Sequence, residues 1–353
     1  MQRSAMIGAL LLVISACSSD AAPQDVAAGP ELLAAAEEPA TPATARSSLC
    51  SRLEGPSCVF DVAGFDEPTV IDNRWLPMSP GMQLVFMGTT NEDDELLDHQ
   101  VIITVTDLVK VIDGIETVVS WDLDFSDGEL VEAELAFFAQ DNDGNVWRMG
   151  EHPEEYEDGE LVDAPTWIAG VNGAEAGISM LADPVVGSLS YSQGWSPEVD
   201  FIDRGRVEDV GQPACIELEC FDSVLVVSEF NVAEAGASQL KYYARGIGNV
   251  AVGWSGIDET QEELELVSVE QLDPAALADV NIAALELDAN AYQVSPDVYG
   301  QTEPATNTAT LQSVAGSSLC SRLEGPSCVF DVAGFDEPTV IDNRWLPMSP
   351  GMQ

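Results

Sequence analysis

Apolar and polar residues alternate with a period of two through the middle of the chain. In "SWDLDF" (120–125), Trp121, Leu123 and Phe125 fall on one face, with Ser120, Asp122 and Asp124 on the other. In the next such stretch Val131, Ala133, Leu135 and Phe137 oppose Glu132 and Glu134. A period of two is that of an extended strand, whose successive side chains point to opposite sides. These strands therefore carry one apolar face and one strongly acidic face. Asp-Gly recurs between them at 113–114, 127–128, 143–144 and 158–159. Asp-Gly accepts the positive φ angles of two-residue turns, so its recurrence predicts a ladder of hairpins. Further strands are predicted over 188–191, 200–207, 224–227, 240–244, 249–252 and 264–269. One helix is predicted over 273–292, where Asp273 is the N-cap and Pro274 takes the first helical position.

The expected fold class is mainly β, a curved antiparallel meander sheet or open half-barrel with one short C-terminal helix. The apolar face of such a meander must be covered by curling, by a second sheet or by the docked helix. Its concave side is either packed solid or open as a pocket for a lipid or other hydrophobic ligand.

The ends of the chain carry different information. Residues 1–17 read as a secretion signal, with Arg3, an apolar run from Met6 to Ile14 and small residues before a cysteine. Ile14-Ser15-Ala16-Cys17 has the form of a bacterial lipobox, which makes Cys17 the lipidation site; an ordinary signal peptide is the alternative. Acyl chains add about 0.8 kcal/mol per buried CH₂, so two or three of them hold a protein on a membrane. Ser18, in place of an aspartate, points to outer-membrane sorting. Residues 18–48 are rich in Ala, Pro and Glu and read as a flexible linker, as do residues 293–316. Between them, 49–272 is the predicted antiparallel β domain. Ser317–Gln353 repeats Ser47–Gln83 letter for letter. The copy stops just short of the first predicted strand, so it reads as a truncated repeat. Its sources are a sequence join or truncation, a tandem array of domains, or a segment that docks in a neighbouring molecule.

The formal net charge is −50, with only two lysines, Lys110 and Lys241. A field of that sign repels nucleic acid and anionic headgroups, so no nucleic-acid partner is expected. Apart from Cys17 the cysteines fall in close pairs: Cys50 with Cys58, Cys215 with Cys220, and Cys320 with Cys328. In an exported chain these are disulfide candidates, paired locally.

Candidate chemistry is sparse. Asp141, Asp143 and Asn145 reproduce the start of a calcium loop, making Ca²⁺ the one cofactor suggested. The twelfth position, however, holds His152 where such a loop needs glutamate, and a plain hairpin turn also fits. His152 stands among carboxylates without a nucleophile assigned beside it, so no catalytic residues are identified.

The stretches "PTVIDNRWLPMSPGM" (68–82), "AQDNDGNVWRMGE" (139–151), "AGVNGAEAGISM" (169–180) and "KYYARGIGNV" (241–250) resemble the landmarks of a family of secreted, functionally uncharacterised bacterial β-domain proteins and lipoproteins. The resemblance implies an antiparallel β fold and export, and carries no activity. The chain departs from that pattern in its Cys50–Cys58 preface, its "CIELEC" insertion and its acidity. The expected function is a membrane-anchored, non-catalytic binding or envelope-structural module, with a hydrophobic ligand or an envelope protein as partner. The alternatives are a calcium- or salt-dependent adhesion array and a secreted hydrolase that uses carboxylates.

Overall fold

The computed structural model describes residues 60–92, 95–234 and 236–307, and the backbone of 341–342 and 347–348. Five strands form a meander: β1 (Met82–Glu92), β2 (Glu95–Ile112), β3 (Ile115–Ser126), β4 (Glu129–Gln140) and β5 (Val146–Glu157). Beside β5 the sheet is extended by three short strands, β6 (Glu160–Asp163), β7 (Trp167–Ile168) and β8 (Glu175–Met180). Two shorter strands follow, β9 (Tyr191–Ser192) and β10 (Gly194–Trp195). The chain then builds a second meander of β11 (Asp203–Cys215), β12 (Cys220–Asn231), β13 (Ala237–Ala244), β14 (Gly248–Gly256) and β15 (Glu263–Gln271). Strand β15 pairs with β1 and joins the two halves into one antiparallel sheet. The sheet curls until its two edges almost meet, leaving a barrel with one seam.

One segment spans the seam. β9 pairs with β11 on one edge while β10 pairs with β8 on the other, and only Gln193 stands between them. The crossing is tight enough to require glycine: a Cβ on Gly177 would lie 2.2 Å from the Gln193 carbonyl carbon and from the Gly194 nitrogen. The edge beyond this stitch is blunted. β11 carries Pro213 and three register irregularities against β12, features that discourage pairing with a further strand.

Three of the four Asp-Gly pairs make the predicted turns, with both residues at positive φ: Asp113–Gly114 (48° and 82°), Asp127–Gly128 (52° and 82°) and Asp158–Gly159 (52° and 76°). At the fourth only Gly144 has positive φ, 89°. There the Asp141 carboxylate organises the turn by accepting from Asp143 N (3.0 Å) and Asn145 N (2.8 Å).

The strand connections define two ends. The β3–β4, β5–β6, β12–β13 and β14–β15 connections lie at one end, which is open. The β2–β3, β4–β5 and β13–β14 connections lie at the other, which residues 60–81 close. Asn73 fastens this plug. Its side chain accepts from Trp75 N (2.8 Å) and donates to the carbonyls of Gly144 (2.8 Å) and Leu181 (3.3 Å). Trp75 is fully buried and shares a hydrophobic cluster with Met78, Leu225, Val227 and Tyr243. Phe60 and Phe65 pack on Trp147 at ring separations of 5.6 and 6.1 Å.

A single long helix, α1 (Pro274–Val294), lies on the outer face of the sheet against β2 and β4. The predicted cap is present: Asp273 accepts from Ala275 N and Ala276 N at 2.9 and 3.0 Å. Beneath the helix lie Ala284, Leu287 and Ala291, in one cluster with Leu135 and Phe137. The linker expected from 293 onward does not begin there. The chain makes a helical turn at Pro296–Tyr299, buries Tyr299 completely and pairs Thr306–Asn307 with β2 as β16.

The reason is a buried charge. Lys110 of β2 is wholly inaccessible and donates to Asp288 Oδ1 (2.9 Å), Tyr292 Oη (3.1 Å) and the Glu303 carbonyl (2.9 Å). Its ammonium lies 4.0 Å from the centre of the Tyr299 ring. Burial lowers the Lys110 pKa, and Asp288 works against that shift. A buried ammonium needs its donors satisfied, and residues 299–305 supply what α1 alone does not.

The Cys215–Cys220 disulfide forms as expected and closes the β11–β12 hairpin. Cys17, Cys50, Cys58, Cys320 and Cys328 lie outside the described residues. In the repeated tail, Ile341–Asp342 pairs with Pro347–Met348. The first copy makes the equivalent bridge, Ile71 with Met78.

Two substitutions test this architecture. Gly177→Val forces the stitch away from β8 and should cost about 1–3 kcal/mol or more in urea unfolding, whereas Gly64→Ala, with open space around it and no positive φ, should cost little and leave the seam closed. Lys110→Ala strands Asp288 and should cost about 3–5 kcal/mol, while Lys110→Met combined with Asp288→Leu should recover most of that loss. Equal losses for the single and double variants would show that the pair does not hold the helix.

Candidate functional site: the acidic lumen

Directly opposed residues of an antiparallel pair project to the same side. Asp122 faces Glu134 across β3–β4, and Asp124 faces Glu132. On the neighbouring pair, Val101 and Ile103 of β2 oppose Asp124 and Asp122. All six side chains line a cavity of about 980 Å³ inside the barrel, open at the mouth. Its floor includes Leu76 and Met78 of the plug. One wall is apolar, with Phe86, Val101, Ile103, Val252 and Leu264. The facing wall is charged, and Asp203 and Glu229 add to its carboxylates.

This reverses the expected arrangement. The acidic face of β3–β4 is the concave one, and Leu135 and Phe137 on the other face pack beneath α1. Docking the helix outside satisfies the apolar face without filling the lumen. The concavity expected to take a lipid or hydrophobic ligand is therefore half carboxylate.

Two cations enter the lumen, and each is held by acid. Arg148 of β5 places Nη1 2.7 Å from Glu151 Oε2 and Nη2 3.7 Å from Glu134 Oε1. Burial opposes the Arg148 charge, but Glu151 and Glu134 more than offset it and raise its pKa. Lys241 of β13 pairs with Glu229 Oε2 at 2.9 Å, and Gln193 Nε2 donates to Glu229 Oε1 at 2.6 Å. Burial acts against the Glu229 carboxylate, and Lys241 and Gln193 overcome it to hold its pKa below the usual range. The stitch across the seam thus also supplies a lumen-lining amide.

Five carboxyls in or beside the lumen resist ionisation. Burial, then the facing Glu134, pushes Asp122 up to about 7, although the Ser120 hydroxyl donates to it at 2.6 Å. Burial raises Asp124 and Asp203 to about 6 each. Burial with Glu134 and Asp124 nearby raises Glu132 to about 9. Glu151 rises to about 8, mainly through burial and despite Arg148. Near the mouth, His99 Nε2 lies 2.9 Å from Glu262 and 3.3 Å from Asp124. Burial lowers the His99 pKa, but these carboxylates outweigh it and the net shift is upward.

The sequence-derived candidates lie elsewhere. Asp141 Oδ2 accepts from Asn145 Nδ2 (2.9 Å) and Trp147 Nε1 (2.8 Å), and Asn145 Oδ1 accepts from Ala182 N (3.0 Å). The Asp141–Asn145 loop is thus a fastening of the closed end, with the side-chain oxygens of Asp141 and Asn145 engaged by protein donors. Among the described residues no group of three or more His, Cys, Asp or Glu side chains is placed to hold a metal ion. His152 is fully buried beside Tyr299, bonded to Thr166 Oγ1 (2.6 Å) and Glu154 Oε1 (3.2 Å), and burial lowers its pKa. It belongs to the helix interface and has no route to the lumen chemistry.

Sequence reasoning singled out neither Arg148, Lys241 and Glu229 nor the role of Asp122 and Glu134. A signal existed for two of them. Glu229 shares the strand parity of Leu225 and Val227, and Lys241 that of Tyr243, so each places a charge on an otherwise buried face.

No family model matches the sequence, and no curated protein is a detectable relative. Among solved structures, the chain is similar to a protein from Bacteroides fragilis described as exported and of YmcC-like fold. That match is 12% identical with a TM-score of 0.34, and covers 56% of this chain and 99% of that one. It is also similar to a protein from Parabacteroides distasonis described as a lipoprotein, 11% identical with a TM-score of 0.30, covering 56% of this chain and 100% of the other.

Proposed function

We propose that this chain is an exported outer-membrane lipoprotein, acylated at Cys17, whose barrel is a non-catalytic module that binds an elongated aliphatic cation. The lipobox at residues 14–17 supports the anchor. The observation that carries the binding reading is the lumen itself. Asp122, Asp124, Glu132, Glu134, Asp203, Glu229 and Glu262 line it against only Arg148 and Lys241. A concave, low-dielectric wall of one sign focuses its field on whatever enters. A cationic group meeting that wall forms charge-assisted hydrogen bonds and displaces protons from the raised carboxyls. Phe86, Val101, Ile103 and Leu264 receive the methylene segments between such groups.

The same lumen favours one other reading. Glu132, protonated at neutral pH, stands across from Asp124. A protonated acid beside a second carboxyl is the pairing that carboxylate-dependent hydrolases use. Binding is the better-supported reading because a whole wall of carboxyls is affected, not one selected pair.

Spermine titrated by calorimetry at about pH 8 should bind at one site per chain. Asp122→Asn combined with Glu134→Gln should weaken it by about tenfold or more, since hydrogen bonds to charged groups contribute roughly 1.5–3 kcal/mol each. Equal affinity for parent and double variant would place spermine on the outer surface and overturn the lumen reading. Turnover of a chromogenic glycoside, lost in Glu132→Gln, would favour the hydrolase instead.

The lumen carboxyls also set a pH dependence opposite to ordinary acid denaturation. A carboxyl whose folded pKa is raised binds its proton more tightly when folded, so it penalises folding once pH exceeds the unfolded value of about 4. The folded values are about 6 for Asp124 and Asp203, 7 for Asp122, 8 for Glu151 and 9 for Glu132. The Tm should therefore fall as pH rises from about 5 to about 9, and spermine should restore it most at the alkaline end. A Tm that climbs across this interval would contradict the assignment.

A further inference from the structure

The carboxyls of β3 and β4 are set out as a ladder. Asp124 with Glu132 forms the rung nearer the mouth, and Asp122 with Glu134 forms the one below it. The pairing runs unbroken from one rung to the other, so they stand two residues apart on both strands, about 6.5 Å. Within a rung the opposed Cβ atoms lie about 5 Å apart, close enough for one ammonium to meet both carboxyls. Each rung continues onto β2 as an aliphatic side chain, Val101 beside Asp124 and Ile103 beside Asp122. An apolar strip therefore runs alongside the ladder, from rung to rung.

Both rungs are short of donors. Asp124 Oδ1 and Glu134 Oε1 are buried and accept no hydrogen bond among the described residues. His99 stands 3.3 Å from Asp124 and Arg148 stands 3.7 Å from Glu134, yet each lies closer to another acid, Glu262 at 2.9 Å and Glu151 at 2.7 Å. Tyr191 is an independent sign of an unmet partner. It is 3% exposed, and its hydroxyl has no hydrogen-bond partner among the described residues. Gly205 pairs with Tyr191 on one side and with Glu229 on the other, which sets the tyrosine on the lumen side of the sheet. The lumen also shows how it holds an alkylammonium. Lys241, opposed to Val252 of the apolar wall, delivers the ammonium of its butyl stem to Glu229 at 2.9 Å.

We infer that the ladder reads amine spacing: the lumen selects a chain with two amines separated by four methylenes, one ammonium at each rung and the methylenes along Val101 and Ile103. The inference rests on the cation-binding reading above and names the unit that the site recognises. Three bonds of extended chain advance about 3.5 Å, so the five bonds between the nitrogens of butane-1,4-diamine span about 6 Å, close to the rung spacing. Propane-1,3-diamine falls short of it, and octane-1,8-diamine overshoots it by about 4 Å. Spermine carries the four-methylene unit at its centre, and so reports on the same two rungs.

The test is a calorimetric competition on the full chain holding spermine, at about pH 7, where all three diamines carry two charges. Butane-1,4-diamine should displace spermine best, about tenfold better than octane-1,8-diamine, which loses the charge-assisted contact at one rung. Propane-1,3-diamine should also fall behind it. Asp124→Asn combined with Glu132→Gln leaves a single rung, and should reduce butane-1,4-diamine to the level of butylamine without a comparable loss for butylamine itself. Displacement that strengthens steadily from three to eight carbons would show that the apolar wall sets affinity. That result would overturn the ladder and leave the binding reading in place, as would a diamine that keeps its advantage over butylamine in the double variant. Spermine that fails to bind the parent protein would remove the binding reading and the ladder together.

Discussion

An open antiparallel sheet has two edges, and here everything of interest depends on how they are joined. Tyr191–Trp195 crosses from β11 to β8 with one residue, Gln193, between its two pairings. Its backbone fits only because Gly177 leaves room for it. Without that crossing, β3–β4 and β12–β13 would not face each other across an enclosed volume. Asp122 and Glu134 would then be ordinary solvated carboxylates on a sheet surface. With it, they share a cavity with Glu229 and Lys241, and the ionisation of Asp122 becomes a property of the fold. Closure turns an acidic face into an acidic interior.

The cost of that interior is limited by where the apolar surface goes. Small barrels usually fill their lumen with side chains. Here Leu135 and Phe137 point outward, and α1 covers them. The main hydrophobic cluster therefore lies between sheet and helix and around the plug at Trp75, and the upper lumen stays open between an apolar wall and a charged one. Both lysines of the chain are committed inside this scheme, Lys110 under the helix and Lys241 in the lumen. A chain with a net charge of −50 and two lysines has placed both where an acid would otherwise be left unpaired.

Much of the fold was legible in the sequence because its signals are local. Period-two alternation, the turns at Asp113, Asp127 and Asp158, the Asp273 cap and the Cys215–Cys220 closure each depend on a few adjacent residues. What was not legible is relational. Alternation at 120–125 separates two faces but does not say which is concave, and the apolar one was read as inward. The stretch after the helix was read as a linker for the same reason: nothing in "QVSPDVYGQTEPA" announces that Tyr299 and the Glu303 carbonyl complete the surroundings of Lys110, nearly two hundred residues earlier. The role of Asp141 as acceptor for Trp147 Nε1 was hidden in the same way, since it needs the folded turn to be visible.

The landmark stretches divide along the same line. Asn73, Asp141, Asn145 and Trp147 all fasten the plug to the closed end, so these residues are legible as scaffold. Landmark residues also reach the lumen, and the two charged ones among them, Arg148 and Lys241, are both cations. The carboxylates that line the cavity, Asp122, Asp124, Glu132, Glu134, Asp203, Glu229 and Glu262 among them, lie outside those stretches. In this chain, then, the landmark stretches build the closed end and supply the two lumen cations, and the acidity of the lumen comes from strand positions between those stretches.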